Sequence, residues 1–269
     1  MAVFDIPACV ALMDYLTAVV AGAAAAIAKS GPRAVRWKAD GSPVTAADEA
    51  AEAVICTGLK DLAPGVPILS EEQAAMETAH ATDDRSIDYF LVDPLDGTRE
   101  FIAGRDEFTV NIALVSGGTP ILGIVAAPAL KLAWRGIVGH GADRLVLAGK
   151  ASPVAIHTRP RARKPVVMVS RSHLDANTSA YLETLPPRVT EACGSSIKFC
   201  RIAEGTADLY PRLAPTHDWD LAAGHAIVTA AGGTVTDPGG APLVYGSRDF
   251  LIPQFIATGD PRTPQVDEK

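Results

Sequence analysis

The sequence predicts an α/β protein, with an α+β first half over residues 1–150 and an α/β second half over 151–269. Three observations carry this prediction. Two helical patterns open the chain, a series of short apolar runs separated by turn signals follows, and strand and helix patterns alternate beyond about residue 150. With 269 residues, 48% of them hydrophobic, the chain can fill one large domain or two modest ones sharing an interface.

Residues 5–29 suit an Ala-rich amphipathic helix that stops near Gly31-Pro32. Thr45 reads as the N-cap of a second helix reaching about Ala63, with Asp48 in its first turn. A short apolar run, Pro67 to Leu69, stops at Ser70-Glu71-Glu72, and the polar stretch 73–87 reads as a loop or short helix. Tyr89 to Val92 is a strand delivering Asp93 at its end. Phe108–Val115, Ile121–Ala127, Leu132–Val138 and Arg144–Ala148 follow as an antiparallel meander, parted by turn signals such as Ser116-Gly117-Gly118. In the second half, strands are expected at 166–170, 188–192 and 209–212. Helices are expected at 175–185, 195–205 and 218–231, the last closed by Gly232-Gly233, and the last ten residues read as a frayed tail.

The formal net charge of −7 gives little of the phosphate attraction that drives non-specific nucleic-acid binding, so no nucleic-acid partner is expected. Cys9, Cys56, Cys193 and Cys200 form no C-x-x-C pair and read as buried thiols of a reducing compartment. Asp5 and Asp14 interrupt the first apolar run, and the uncharged stretch Tyr15–Ala28 is short for a bilayer, so no transmembrane segment is expected. Cytoplasm is the expected compartment, with peripheral inner-membrane association compatible with it. A monomer or a homodimer is expected.

The segment richest in chemistry is Asp93-Pro94-Leu95-Asp96-Gly97-Thr98. Pro94 fixes φ and removes a donor, which predicts a turn straight after the strand. Gly97 permits a conformation that turns backbone N–H groups toward a ligand. Two carboxylates three apart, with the Leu95 carbonyl between them, can face one point and make an all-oxygen site for a hard cation. Glu71 and Asp220 sit at similar junctions. Taken alone, Asp220 or Asp48 would be ordinary first-turn stabilisation of a helix, about 0.3–1 kcal/mol, and Glu71 a solvated acid.

Competing motifs fail on spacing. An EF-hand needs acids at alternate positions. A dehalogenase-type phosphatase needs a second Asp two residues after the first, where this chain has Leu95 and Thr98. Gly149-Lys150 is followed by Ala151, not Ser or Thr, so there is no P-loop, and G-x-G-x-x-G is absent. No two histidines stand at metal-ligand spacing, which disfavours zinc. His225 reads as packed, His217 as capping or lining a loop, and His173 as a group that could touch a ligand.

The hexapeptide, Ser70-Glu71-Glu72, Trp219-Asp220-Leu221-Ala222-Ala223 and Ala231-Gly232-Gly233 together resemble the inositol monophosphatase superfamily, over about residues 38–233. Within it, Asp93-Pro94-Leu95-Asp96-Gly97-Thr98-Arg99-Glu100-Phe101 is similar to the CysQ-type 3'(2'),5'-bisphosphate nucleotidases. So are Ser42-Pro43-Val44-Thr45-Ala46-Ala47-Asp48, Ser170-Arg171-Ser172-His173, Gly194-Ser195-Ser196-Ile197-Lys198-Phe199-Cys200 and Leu209-Tyr210-Pro211-Arg212. Arg99 departs from that subgroup, where Lys is commoner.

The resemblance implies a layered α-β-α-β-α sandwich of the inositol monophosphatase and fructose-1,6-bisphosphatase type. It implies Glu71, Asp93, the Leu95 carbonyl, Asp96 and Asp220 as metal ligands, and Asp48 with Thr98 as the pair that activates water; Glu71 is counted with that catalytic set. Ser195, Lys198, Arg212 and Asp220 are implied as substrate contacts. The implied reaction removes the 3'-phosphate of adenosine 3',5'-bisphosphate to give AMP, with the phosphosulfate PAPS as a second substrate. Four carboxylates carry enough charge for two or three Mg2+ ions, and backbone N–H groups of Gly97 and Thr98 are expected to cradle the phosphate. Lys198 and Arg212 are expected to recognise the second phosphate. The closest rival is an inositol or sugar monophosphatase with the same metal centre. A metal or phosphate sensor is disfavoured because a pure binder has no need of the Asp48–Thr98 pair.

Overall fold

A computed structural model describes residues 4–31, 34–38, 41–74, 87–147, 149 and 152–260. The first helix, α1 (Ile6–Ser30), starts where the Asp5 side chain accepts the Ala8 N–H at 2.9 Å and stops at Gly31, whose φ is +64°. Cys9, Leu12, Met13, Leu16, Val20, Ala23 and Ile27 recur at helical spacing and form its buried stripe. Its 25 residues exceed the uncharged stretch read from sequence and are, by length and composition alone, enough to cross a membrane. Next come a small hairpin, β1 (Arg36–Trp37) with β2 (Pro43–Val44), and then α2 (Ala46–Leu62), which packs along α1.

Seven strands build the first sheet: β3 (Ile68–Ser70), β4 (Tyr89–Asp96), β5 (Thr109–Ser116), β6 (Thr119–Ala127), β7 (Leu132–Ile137), β8 (Gly141–Val146) and β9 (Val154–Ile156). They lie in chain order, antiparallel throughout except for the parallel β3–β4 pair, as the expected meander requires. Two short helices interrupt them, α3 (Glu71–Ala74) directly after β3 and α4 (Thr98–Ile102) directly after β4.

The remaining elements are β10 (Val166–Ser170), α5 (Ala176–Thr184), β11 (Val189–Cys193), α6 (Ile197–Ala203), β12 (Leu209–Arg212), β13 (Thr216–His217), α7 (Asp218–Ala230), β14 (Thr234–Thr236), β15 (Leu251–Ile252) and β16 (Phe255–Thr258). A five-stranded sheet runs β11-β10-β12-β16-β14, parallel at β11-β10-β12 and antiparallel beyond.

Strand alternation sorts the side chains into layers. Phe90, Val92, Val110, Ile112, Leu114, Leu122 and Ile124 face α1 and α2. Leu91, Val115, Val125 and Trp134 face the other way, against α6, α7 and the second sheet. Val167, Val169 and Leu209 lie on the outer face of that second sheet with Leu182 of α5. The result is helices, sheet, helices, sheet, helix, the five-layer sandwich expected. Fully burying each large aliphatic side chain contributes about 1.5–3 kcal/mol.

The middle layer sits unusually close to the first sheet. A Cβ on Gly123 would stand 2.3 Å from the Ala223 carbonyl oxygen, and one on Gly136 would stand 2.6 Å from Ile227 Cα. These two glycines let α7 rest on bare strand backbone.

Two sequence expectations need correction. The strand expected to end at Asp93 runs on to Asp96 through a local irregularity. The short strands β1, β2, β9 and β13–β16, with α3 and α4, were not anticipated, because two to five residues are too few to show a period. Of the polar stretch 73–87, residues 75–86 lie outside the described residues, as do 261–269 of the expected tail.

Candidate active site

The irregularity in β4 makes the site. Asp93 pairs with Asn111 and Asp96 with Thr109, so two residues on β4, Pro94 and Leu95, oppose the single Val110 on β5. That is a β-bulge. Without it, acids three apart would point to opposite faces. With it, both stand opposite residues of one face of β5, and the two carboxylates share a side of the sheet. The predicted turn is therefore a bulge, and pairing resumes at Asp96. Gly97 then takes φ +89°, where a Cβ would sit 2.9 Å from the Glu107 carbonyl oxygen, and α4 begins at Thr98.

Thr98 Oγ1 lies 3.1 Å from Asp48 Oδ1 and 3.0 Å from the Leu95 carbonyl oxygen. Asp48 closes a capping box at the start of α2: its Oδ2 accepts the Thr45 N–H at 2.8 Å and the Thr45 hydroxyl at 2.6 Å. Burial raises the Asp48 pKa, and the hydrogen bonds from Thr45 and Thr98 oppose the rise.

Glu71 heads α3 at the end of β3, and Asp220 stands in the first turn of α7, where Thr216 donates to its Oδ2 at 2.8 Å. Glu71, Asp93, Leu95, Asp96, Gly97, Thr98 and Asp220 all line one cavity, and Ser195, Lys198 and Arg212 line it too. The acids feel one another. Burial and then the charges of Glu71, Asp96 and Asp220 hold Asp93 well above the usual carboxylate range. Burial, then Asp220, raises Asp96. Glu71 is pushed up to about 7, by burial first, with Lys38 opposing and Asp220 adding to the rise.

These residues suit magnesium. Every donor is an oxygen, and a divalent cation would relieve the repulsion that now raises the proton affinity of buried Asp93 and half-buried Glu71 and Asp96. Among the described residues no three acidic, imidazole or thiol groups are drawn in to coordination distance around one point. The acids stand round the cavity, with the Lys38 ammonium 2.7 Å from Glu71 and 2.8 Å from Glu72.

Sequence reasoning missed three groups here. Ser196 Oγ lies 3.0 Å from Asp96 Oδ2 and 2.9 Å from the Asp220 carbonyl oxygen, and it accepts from Asn111 Nδ2 at 3.0 Å. It ties the bulge, α6 and α7 together. Lys38 is the third. A serine beside the expected Ser195 was the only signal; Lys38 lies 33 residues from Glu71 in the chain.

The expected substrate contacts have distinct settings. Ser195 adopts φ +50° and its hydroxyl is buried with no hydrogen-bond partner among the described residues. Lys198 is buried rather than solvated; its ammonium donates to the Ser195 carbonyl at 2.5 Å and the Cys193 carbonyl at 3.2 Å, and stands 5.1 Å from the Tyr210 ring centre. Arg212 donates to the Pro215 carbonyl at 3.3 Å, while its Nε is buried with no hydrogen-bond partner among the described residues. His225 is packed as expected, bonded to the Tyr245 hydroxyl at 2.9 Å, with burial pushing its pKa down to about 4. His217 lines the cavity and stacks on Trp219 at 4.6 Å.

The wall formed by residues 193–195 is held from outside the cavity. Arg171 makes two 2.6 Å contacts with the Glu107 carboxylate and a third with the Ala192 carbonyl, and Glu107 Oε2 also accepts the Gly194 N–H at 2.8 Å. The four cysteines are free thiols, three buried and Cys193 half-buried.

Residues 7–265 match the model of the inositol monophosphatase family. The chain is 47% identical over 231 residues to the 3'(2'),5'-bisphosphate nucleotidase CysQ of Shigella flexneri, covering 83% of this chain and 88% of that protein. It is 48% identical over 225 residues to the protein of the same name in Escherichia coli K12, with the same coverage. Its fold superposes on the crystal structure of Bacteroides thetaiotaomicron CysQ, described as a bacterial member of the inositol monophosphatase family, with a TM-score of 0.77 and 34% identity, over 92% of this chain and 97% of that one. A chain that follows one family's pattern over nearly its whole length, and folds as a solved member does, belongs to the inositol monophosphatase family.

Proposed function

We propose that this protein is a magnesium-dependent 3'(2'),5'-bisphosphate nucleotidase that removes the 3'-phosphate of adenosine 3',5'-bisphosphate to give AMP and phosphate. The observation that carries the reading is the Thr98–Asp48 hydrogen bond opening onto the cavity lined by Glu71, Asp93, Asp96 and Asp220. The names of the relatives above supply the substrate class. PAPS, whose 3'-phosphate is placed alike, is a second substrate on this reading.

Glu71, Asp93, the Leu95 carbonyl, Asp96 and Asp220 would hold two or three magnesium ions. When bound, magnesium lowers the pKa of water and neutralises charge on the phosphate and the leaving oxygen. The rest falls to the chain. Thr98 Oγ1, donating to Asp48, keeps a lone pair with which to accept a hydrogen bond from water and aim it at phosphorus. The released proton passes through Thr98 to Asp48, whose raised pKa suits it as the acceptor. Backbone N–H groups at Gly97 and Thr98 face the phosphate. The P–O bond to the ribose 3' oxygen breaks as the new one forms; that oxygen leaves with the bonding pair and takes a proton from solvent to become the 3'-hydroxyl of AMP, with no covalent enzyme intermediate.

We assign residues 1–150 the metal and water chemistry and 151–269 the nucleotide contacts together with the ligand Asp220. Phosphate release from adenosine 3',5'-bisphosphate and from inositol monophosphate, in saturating magnesium, tests the reading. Preference for the nucleotide supports it; preference for inositol phosphate replaces it with the monophosphatase alternative. Asp96→Asn should abolish turnover, and near-normal activity of that variant would reject the metal assignment.

A further inference from the structure

The cations around the cavity differ in whether something already holds them. Lys38 is bound by Glu71 and Glu72. Arg171 is bound by Glu107. The Lys198 ammonium is bound by two backbone carbonyls. Arg99 is different: it is exposed, it lines the cavity from the first turn of α4, and no described residue pairs with it. The adjacent acid, Glu100, is buried and turned to the Ser172 hydroxyl.

Arg212, whose Nε has no hydrogen-bond partner among the described residues, and His173 line the same cavity. Partial burial holds the His173 imidazole below its ordinary pKa, and Arg212, then Arg99, depress it further, while Glu100 opposes them. Arg99, Arg212 and His173 line one cavity and together make it cationic one residue beyond Thr98. Two guanidinium groups lining one cavity suit a tetrahedral oxyanion, because their donors match its oxygen pairs and stay charged at any working pH.

We propose that Arg99, with Arg212 and His173, binds the non-scissile anionic group of the substrate, the second phosphate of a bisphosphorylated nucleotide or its phosphosulfate counterpart. Arg99 is then a specificity-determining residue. This rests on the nucleotidase reading and names the group that distinguishes a bisphosphate from a monophosphate.

The test compares kcat/KM for adenosine 3',5'-bisphosphate and adenosine 3'-monophosphate in the wild type, Arg99→Ala and Arg99→Lys, with thermal unfolding confirming that each variant folds. Arg99→Ala should cut the bisphosphate-to-monophosphate ratio by about ten- to a hundredfold, mostly through KM, as expected for one or two charged hydrogen bonds. Arg99→Lys should lose part of that, since the charge remains and the fork does not. Calorimetry should show AMP binding more tightly than adenosine to the wild type, with the difference reduced in Arg99→Ala. A ratio within about twofold of wild type in Arg99→Ala overturns the assignment of Arg99 while leaving the substrate class standing. A wild type that turns over both nucleotides equally overturns the substrate class and the clamp together, and leaves the phosphatase chemistry intact. PAPS in place of the bisphosphate separates phosphosulfate from phosphate.

Discussion

Thr98 and Asp48, 50 residues apart in the chain, meet at 3.1 Å because the capping box of α2 abuts the first turn of α4. Asp48 thus uses one oxygen to start a helix and the other to hold the hydroxyl beside the carboxylates. Thr98→Ala should lower kcat by about 10²–10⁴-fold, the range for losing a positioned proton-transfer group, and Thr98→Ser should recover much of it. Steady-state kinetics decide this, and an active alanine variant would remove Thr98 from the mechanism. Asp48→Ala should in addition lose about 0.5–2 kcal/mol of stability with the cap, seen as a lower denaturation midpoint.

The buried acids predict a pH dependence in the metal-free protein. Glu71 has an ordinary pKa of 4.5 and is pushed up to about 7 in the fold. A carboxyl raised in this way favours the folded state fully below its unfolded pKa and loses that contribution as pH rises through the folded one. Stability in EDTA should therefore fall between pH 4.5 and about 7, with Asp93 and Asp96 acting in the same direction. Above that window magnesium should raise Tm, because it binds the deprotonated acids of the folded state only. Thermal melts at a series of pH values, with and without magnesium, check both statements; a metal-free Tm that climbs across the window contradicts them.

Glu107→Gln should affect the substrate more than the fold. The Glu107–Arg171 pair is partly exposed, so its loss should cost no more than about 1 kcal/mol. The same carboxylate anchors the Gly194 N–H beside Ser195, so KM should rise several-fold while kcat changes little. A kcat loss equal to the KM change would show that the clasp supports the chemistry instead.

Gly136→Ala should be costly despite its small size. Its Cβ would lie 2.6 Å from Ile227 Cα and 3.0 Å from Ala230 Cβ, and overpacking of this kind costs about 1–3 kcal/mol. Denaturant unfolding measures it, with Gly239→Ala as a contrast, since a Cβ there would meet only the Asp237 carboxylate at an ordinary 3.4 Å.

Much of this arrangement was legible in the residues because it is local. Helical spacing gave α1 and α2, Thr45 and Asp48 gave the cap, and alternation gave the two sheets. Asp93 and Asp96 stood out in their hexapeptide after an apolar strand, whereas Glu71 and Asp220 stood out only through the family resemblance of the blocks around them. The bulge was not legible: Pro94 reads as a turn until β5 supplies Asn111 and Thr109 to pair on either side of it. Ser196 and Asn111 escaped for a similar reason. Neither carries acid or base chemistry, and their role arises only when β4, β5, α6 and α7 converge on Asp96. Lys38 belongs to no periodic pattern, and only the folded hairpin brings it to Glu71.

The contact of α7 with Gly123 and Gly136 bears on how this site can change over time. Asp220 rides on α7, while Asp93 and Asp96 ride on the strand next to β5, so the distance between the two jaws is set by the thickness of peptide backbone. Ordinary drift among aliphatic residues elsewhere in the core can be absorbed by the outer helices without altering that gauge. New substrates are therefore most readily accommodated along the rim at Arg99, His173 and residues 193–195, with the jaws left as they are.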